Sequence, residues 1–242
     1  DVYKRQILAR TPAIPDDAQW GIFLRNHDEL TLEMVTEEER AFLYETYAPE
    51  PSMRKNVGIR RRLAPLLGGD RRKIELLTGL LLSLPGSPFL YYGDEIGMGD
   101  IHTLDYRDGV RTPMQWDSST GAGFSDTDSL YLPVVDSPGF TPGVVNVAAA
   151  RADDGSLLHA VRRLLRSRPA LFGTGRFEPV EGSDPRVFSF RRVDDSGEVL
   201  VVANLSADTV TIDVAHPATD LITGEPVGSE LEPYRFVWAR RA

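Results

Sequence analysis

The chain has 242 residues, 41% hydrophobic and 26% charged, a composition ordinary for one large or two smaller globular domains. Its formal net charge of −9 disfavours nucleic acid or an anionic membrane as a partner, because phosphate binding needs clustered Lys and Arg. The absence of cysteine excludes disulfides, thiolate metal sites and cysteine nucleophiles and fits a reducing cytoplasm, and no stretch approaches the ~20 apolar residues of a membrane-spanning helix.

Residues 1–6 read as a junction rather than the start of a domain, so the chain reads as a fragment. Residues 7–8 read as a helix tail, and 11–15 as a loop around Pro12 and Pro15. Residues 19–24 form a short apolar run without polar alternation, the pattern of a parallel-sheet strand buried on both faces. It ends in Arg25-Asn26-His27-Asp28, polar groups at the strand end where α/β barrels keep their chemistry. Thr36, with Glu39 three residues on, predicts a capping box and a helix that Pro49 and Pro51 end. A second helix is predicted over 70–84, with Asp70 as cap, Ile74, Leu76, Leu77, Leu80 and Leu81 as its apolar residues, and Pro85-Gly86 as its stop. Residues 88–92 read as another buried strand, followed by Gly93-Asp94-Glu95. Strand, helices, strand is the alternation of an α/β barrel. The basic runs Arg60-Arg61-Arg62 and Arg71-Arg72-Lys73 read as solvated helix faces or ion-pair partners.

The next segment is rich in Gly, Pro, Asp and Ser and has little periodicity; such a long loop is usually functional or disordered. Trp116, Phe124, Tyr131 and Phe140 argue for an ordered loop whose aromatics pack. Residues 156–168 form an amphipathic helix stopped by Pro169. From Arg176 the texture changes to short β-type runs, 187–190, 199–203, 210–214 and 234–238, separated by turn signals. The boundary falls at Gly173-Thr174-Gly175, dividing a region 1–173 from a small antiparallel β-sandwich at 174–242.

Three motifs carry a family resemblance. Phe23-Leu24-Arg25-Asn26-His27-Asp28 matches the Asn-His-Asp motif that ends the seventh barrel strand in the α-amylase family. Residues 86–98 (GSPFLYYGDEIGM) resemble that family's eighth strand and following loop. Residues 107–116 (RDGVRTPMQW) resemble the signature of its α-glucosidase-like branch. Their order, and the β-type region after them, extend the resemblance over the whole chain beyond residue 6. Within the branch, residues 23–35, 58–67 and 94–100 are similar to the trehalose synthases.

The resemblance implies an α/β fold: the C-terminal part of a (β/α)8 TIM barrel (last two strands, long loop, last helix) followed by the sandwich. It implies part of an enzyme interconverting maltose and trehalose by retaining α-glucosyl transfer. The alternatives are an α-glucosidase or oligo-1,6-glucosidase, or a non-catalytic carbohydrate-binding or structural derivative. Retaining chemistry needs a nucleophilic carboxylate and an acid ~5–5.5 Å apart. In the family both sit on earlier strands, and neither motif stands in the right place here, so the 242 residues alone are expected to be inactive. Open strand edges also predict aggregation or partial unfolding upstream of residue 173. Phe190-Arg191-Arg192-Val193-Asp194 imitates the nucleophile motif, but it follows Asn-His-Asp and chain order rules it out.

By resemblance Asp28 is the transition-state stabiliser, and His27 and Arg107 bind the sugar, the planar guanidinium suiting bidentate contacts. Arg111 is a weaker, structural candidate, and Asp94-Glu95 would cap the polar end of a strand. His102, His159 and His216 show no metal spacing and read as surface residues. No cofactor is expected within these residues. The family resemblance adds calcium, held by an upstream insertion, in a full-length protein, and a homo-oligomer or a maltokinase as partner.

Overall fold

The computed structural model describes residues 11–12, 14–15, 18–127, 129–182, 184–214 and 217–241. The readings at residues 1–10 and at His216 lie outside the described residues. Ahead of residue 90 lie the short strands β1 (Gly21–Phe23), β2 (Leu30–Thr31), β3 (Arg54–Lys55), β4 (Gly58–Ile59) and β5 (Ser87–Phe89). The helices are α1 (Glu37–Tyr47), α2 (Leu63–Leu66), α3 (Arg71–Ser83), α4 (Val147–Ala152), α5 (Leu157–Ser167) and α6 (Leu171–Thr174).

β1 and β5 occupy the two positions read as barrel strands and form a two-stranded sheet. Ser87 N donates to Trp20 O at 2.8 Å. The expectation of strands buried on both faces is corrected: Phe23 is 50% exposed and Phe89 61%. Each strand has only the other as a ladder neighbour among the described residues, so the pair leaves its apolar side chains open.

The capping box forms as expected at α1. Thr36 Oγ1 accepts from Glu39 N at 3.2 Å, and Glu39 Oε2 accepts from Thr36 N at 2.8 Å, satisfying two otherwise unpaired donors. α3 buries Ile74, Leu76, Leu80, Leu81 and Leu82, and with the consecutive run 80–82 its C-terminal half is apolar around most of its circumference, the pattern of a helix covered on more than one side. α4, inside the stretch read as loop, is capped by Asn146, whose Oδ1 accepts from Ala149 N at 2.7 Å.

The chain divides into two compact units. One contains Glu75–Phe89 and the chain from Arg162 onward. Its strands are β6 (Arg176–Val180), β7 (Val187–Asp194), β8 (Gly197–Asn204), β9 (Val210–Thr211), β10 (Ala218–Asp220), β11 (Glu230–Leu231) and β12 (Phe236–Arg241). They build an antiparallel five-stranded sheet, β10-β12-β8-β7-β6, and a separate pair, β11-β9. Alternate residues of β8 point to opposite faces. Val199, Val201 and Ala203 join Trp238, Phe172, Phe188, Phe190 and the α3 leucines, while Val202 joins Val187, Val210, Ile212 and Leu231. Both faces are covered, which is why the β8 run is continuously apolar. Gly79 is required in α3 because a Cβ there would overlap the Phe236 ring.

The other unit contains Phe23–Ile74 and Leu90–Val161. The order β2-β4-β3 makes a small antiparallel sheet, its β3–β4 turn passing through Asn56 at φ 50°, a left-handed position that Asn tolerates. Leu32, Ala48, Met53 and Ile59 form one apolar cluster, and Ile96, Met98, Ile101, Met114, Val135 and Val147 another. Of the four loop aromatics expected to pack, Phe140 packs on the second cluster, but Trp116, Phe124 and Tyr131 are 46%, 52% and 95% exposed.

Of the two readings of 60–62, a solvated helix face or ion-pair partners, the first is corrected and the second holds at Arg61. Arg60 and Arg62 are buried. Arg61 pairs with the buried Asp100, its Nε 3.0 Å from Oδ1, and the same carboxylate accepts from Arg62 N at 2.7 Å. Arg62 lies over the Tyr91 and Tyr92 rings at 4.6 and 4.5 Å and donates to Tyr92 O at 2.7 Å. Burial is sustained because each charge meets carbonyls, a carboxylate or an aromatic face.

Candidate active site

The loop after β1 is set by Arg25. This residue is buried and donates to three backbone carbonyls: Arg61 at 2.7 Å, Ile59 at 3.0 Å and Asp28 at 3.2 Å. Burial pushes its guanidinium below the ordinary arginine value, with nearby carboxylates opposing the shift. Asn26 Oδ1 accepts from Asp28 N at 2.9 Å, an Asx turn that lifts Asp28 and Glu29 out of the strand direction.

Arg107, far along the chain, closes on this loop. Its Nε donates to Asp28 Oδ1 and, at 2.8 Å, to Glu29 Oε2, while Nη2 reaches Glu29 Oε1 at 3.2 Å. Asn56 Nδ2 donates to Glu29 Oε1 at 2.7 Å. The Asp28 side chain stays 40% exposed against 12% for Glu29 and 16% for Arg107, so the open carboxylate belongs to Asp28. Burial pushes the Glu29 carboxyl up, but its hydrogen bonds with Asp28, Arg107 and Asn56 outweigh that and hold it down at about 2. The hydrogen bond with Glu29 raises Arg107 above the ordinary arginine value, and that with Asp28 adds to it. The Tyr106 ring, its backbone at φ 50°, lies 4.5 Å from the Arg107 guanidinium and 6.0 Å from that of Arg111.

Of the residues singled out from sequence, Asp28 and Arg107 therefore come together. His27 is exposed beside them, and its carbonyl accepts from Arg111 Nε at 3.0 Å, which gives Arg111 a structural contact. Glu29, Asn56 and Tyr106 belong to the same cluster and were missed. Glu29 had one signal, its place next to Asp28; Asn56 had none, since no periodicity marks β3 and β4.

Asp94 is buried, 3.9 Å from Arg62 Nη1. His102 is partly buried, with Nδ1 2.9 Å from Ser52 Oγ, so the surface reading is corrected there. His159 Nε2 lies 3.3 Å from Arg151 O. Asp194, in the imitation nucleophile motif, closes the β7–β8 turn by accepting from Ser196 N at 2.8 Å. Among the described residues no group of three or more His, Cys, Asp or Glu could hold a metal ion. No helix among them is long and apolar enough to cross a membrane.

The family profile described as alpha amylase, catalytic domain, matches residues 60–172. The chain is 57% identical over 208 residues to the trehalose synthase/amylase TreS of Mycobacterium tuberculosis, covering 83% of this chain and 35% of that protein. It is 52% identical over 213 residues to the trehalose synthase of Thermus thermophilus, covering 86% of this chain and 22% of that one. It thus spans about a third or less of the length of these relatives. Among solved structures, the trehalulose synthase MutB from Pseudomonas mesoacidophila MX-45 superposes with a TM-score of 0.63 at 23% identity, covering 91% of this chain and 43% of that chain. With that profile match and 52–57% identity to these synthases over more than four-fifths of its length, the chain belongs to the α-amylase family.

Proposed function

We propose that this chain is the C-terminal part of a trehalose synthase that interconverts maltose and trehalose by intramolecular α-glucosyl transfer. The observation that carries the reading is the Arg107 guanidinium bridging Glu29 and Asp28 while leaving the Asp28 carboxylate accessible. Asp28 would accept hydrogen bonds from sugar hydroxyls, bonds that tighten as the ring flattens toward an oxocarbenium-like transition state. Arg107 fixes the direction of that carboxylate, and His27 lies exposed next to it to donate to the same sugar. The nucleophilic carboxylate and the acid would come from residues of the polypeptide other than these 242. In the first displacement that carboxylate takes the glucosyl unit at its anomeric carbon, and the acid protonates the departing glucose. In the second, the anomeric hydroxyl of the retained glucose attacks, returning its proton to the same group.

The identity of 52–57% to trehalose synthases over more than four-fifths of the chain supports this reading over a hydrolase of the same branch. The test uses a polypeptide that carries this sequence together with an upstream barrel. It is incubated with maltose, and the sugars are resolved by anion-exchange chromatography beside Asp28→Ala. Trehalose from the parent, lost in the variant, supports both the activity and the role of Asp28. Glucose alone from the parent moves the assignment to a hydrolase.

A further inference from the structure

A cavity of about 400 Å³ opens in the unit that runs from Arg162 onward, lined by the C-terminal end of α5, the start of α6, the β7–β8 turn and β12. Its polar lining is Arg166, Arg168, Arg240, Ser167 and Ser196, and no carboxylate among the described residues lines it. In the chain as a whole 36 acidic residues outnumber 27 basic ones, so a cavity with three arginines and no acid runs against the composition. An arginine in the last turn of a helix answers the helix dipole, but Arg240 is brought across from β12 and is not explained that way. Arg168 is half-buried, and its Nε donates to Leu82 O at 2.8 Å, which fixes the guanidinium. Its two terminal nitrogens have no hydrogen bond or ion pair among the described residues, nor do the exposed side chains of Arg166 and Arg240. Burial lowers Arg168 below the ordinary arginine value, and no carboxylate opposes the shift. Arg192 is buried and does not line the cavity; burial and then the Arg168 charge push its guanidinium down to about 10. Two neighbouring guanidinium groups are thus withdrawn from bulk water without a counter-charge, which an anion in the cavity would supply.

We propose that this cavity is an anion site that binds a phosphate group, free or carried on a small molecule. A planar guanidinium meets two phosphate oxygens at once, and Arg168 offers both terminal nitrogens for that contact. Arg166 and Arg240 close on the anion from the rim, and the Ser167 hydroxyl, without a protein partner among the described residues, donates to a further oxygen. Ser196 Oγ is already spent on Asp194 Oδ1 at 2.6 Å, so Ser196 bounds the site without donating to it. Pro169, Leu171 and Leu221 form an apolar wall, and the volume is that of a small-molecule site, which leaves room for the organic part of a phosphate ester.

The test titrates phenyl phosphate and inorganic phosphate by isothermal calorimetry into a polypeptide that carries this sequence together with an upstream barrel. Arg168→Gln, Arg240→Gln and Arg162→Gln are measured beside it. Arg162 is exposed on the same helix and does not line the cavity, so its variant removes an equal charge elsewhere. The expected result is saturable binding of phenyl phosphate, weakened about tenfold by Arg168→Gln and severalfold by Arg240→Gln, and unchanged by Arg162→Gln. Arg240→Gln breaks no side-chain hydrogen bond among the described residues and is expected to melt with the parent, so it decides the matter even if Arg168→Gln, which loses its bond to Leu82 O, fails to fold. Phenyl phosphate binding several-fold tighter than inorganic phosphate would support an ester as the ligand, and equal affinities would support the free anion. The absence of saturable binding of either, indifference to both cavity variants, or an equal loss in Arg162→Gln and Arg240→Gln would overturn the proposal. The readout is phosphate binding, so failure of the transferase reading leaves it standing.

Discussion

Arg107 grips Glu29 with two nitrogens, Nε to Oε2 at 2.8 Å and Nη2 to Oε1 at 3.2 Å, and the same Nε also donates to Asp28. A planar fork can hold one carboxylate along its edge and still orient a second; an ammonium cannot. Glu29 is thus the anchor for Arg107, and Asp28 is the carboxylate left presented. Arg107→Lys in the longer enzyme is expected to lower kcat/KM for maltose by about 100-fold, the scale of a misdirected catalytic group. Activity within about threefold of the parent would show that charge alone suffices there.

Glu29 carries a pH signature of its own. Its carboxyl is held at about 2 against an ordinary 4.5. A depressed folded value stabilises the protein above the unfolded value, and that stabilisation is lost as pH falls from 4.5 through about 2. Glu29→Gln should therefore lower the melting temperature near neutral pH, with the difference shrinking as the melts are repeated toward pH ~2. A difference independent of pH would mean that Arg107 and Asn56 stabilise the amide equally well.

Asp94 runs the other way. Burial pushes its carboxyl up to about 7; Arg62 opposes the shift, Glu95 adds to it and Arg25 opposes it. Its Oδ1 is buried without a hydrogen bond. A raised folded value means that the contribution of this group is fully present below 3.8 and is lost as pH rises through about 7. The slope reaches at most about 1.4 kcal/mol per pH unit in that window. Asp94→Asn should melt higher than the parent at about pH 8 and nearly level with it at about pH 4. A lower melting temperature at both would show that the charge on Arg62 needs this carboxylate.

Arg192 is buried on β7 with no carboxylate partner among the described residues. Its Nη2 donates to Gly175 O at 2.7 Å and its Nη1 to Ser83 O at 2.7 Å, tying the strand to the last residue of α3. Arg192→Leu strands both carbonyls, and a loss of about 2–4 kcal/mol is expected, read from urea unfolding followed by circular dichroism. Arg192→Lys should recover only part, because a single ammonium cannot reach two carbonyls in the fork geometry.

The parts of the fold legible in the residues were those governed by near neighbours. Thr36 and Glu39 are three residues apart, so their reciprocal cap follows from the chain itself. The apolar spacing of 74–81 and the β-type runs at 187–190 and 199–203 fall within α3, β7 and β8. Asp28 and Arg107 were legible through motif resemblance alone, since no local rule joins residues 79 positions apart.

What the sequence by itself determined was therefore the secondary structure with strong periodicity, the family, and two members of the Asp28 cluster. Tertiary structure decided the rest. On charge alone the Arg60-Arg61-Arg62 run reads as a solvated face or as ion-pair partners; carbonyls and a carboxylate 30 to 46 positions away meet part of its donors inside the fold, while Arg60 Nε and Arg62 Nε and Nη2 stay without a hydrogen-bond partner. Glu29 and Asn56 entered the site the same way, through a small sheet too short to leave a periodic trace. Burying a charge costs several kcal/mol unless its hydrogen bonds are met. Those partners are fixed by the path of the chain through space, so a charged residue's place inside or outside is settled only when the fold closes.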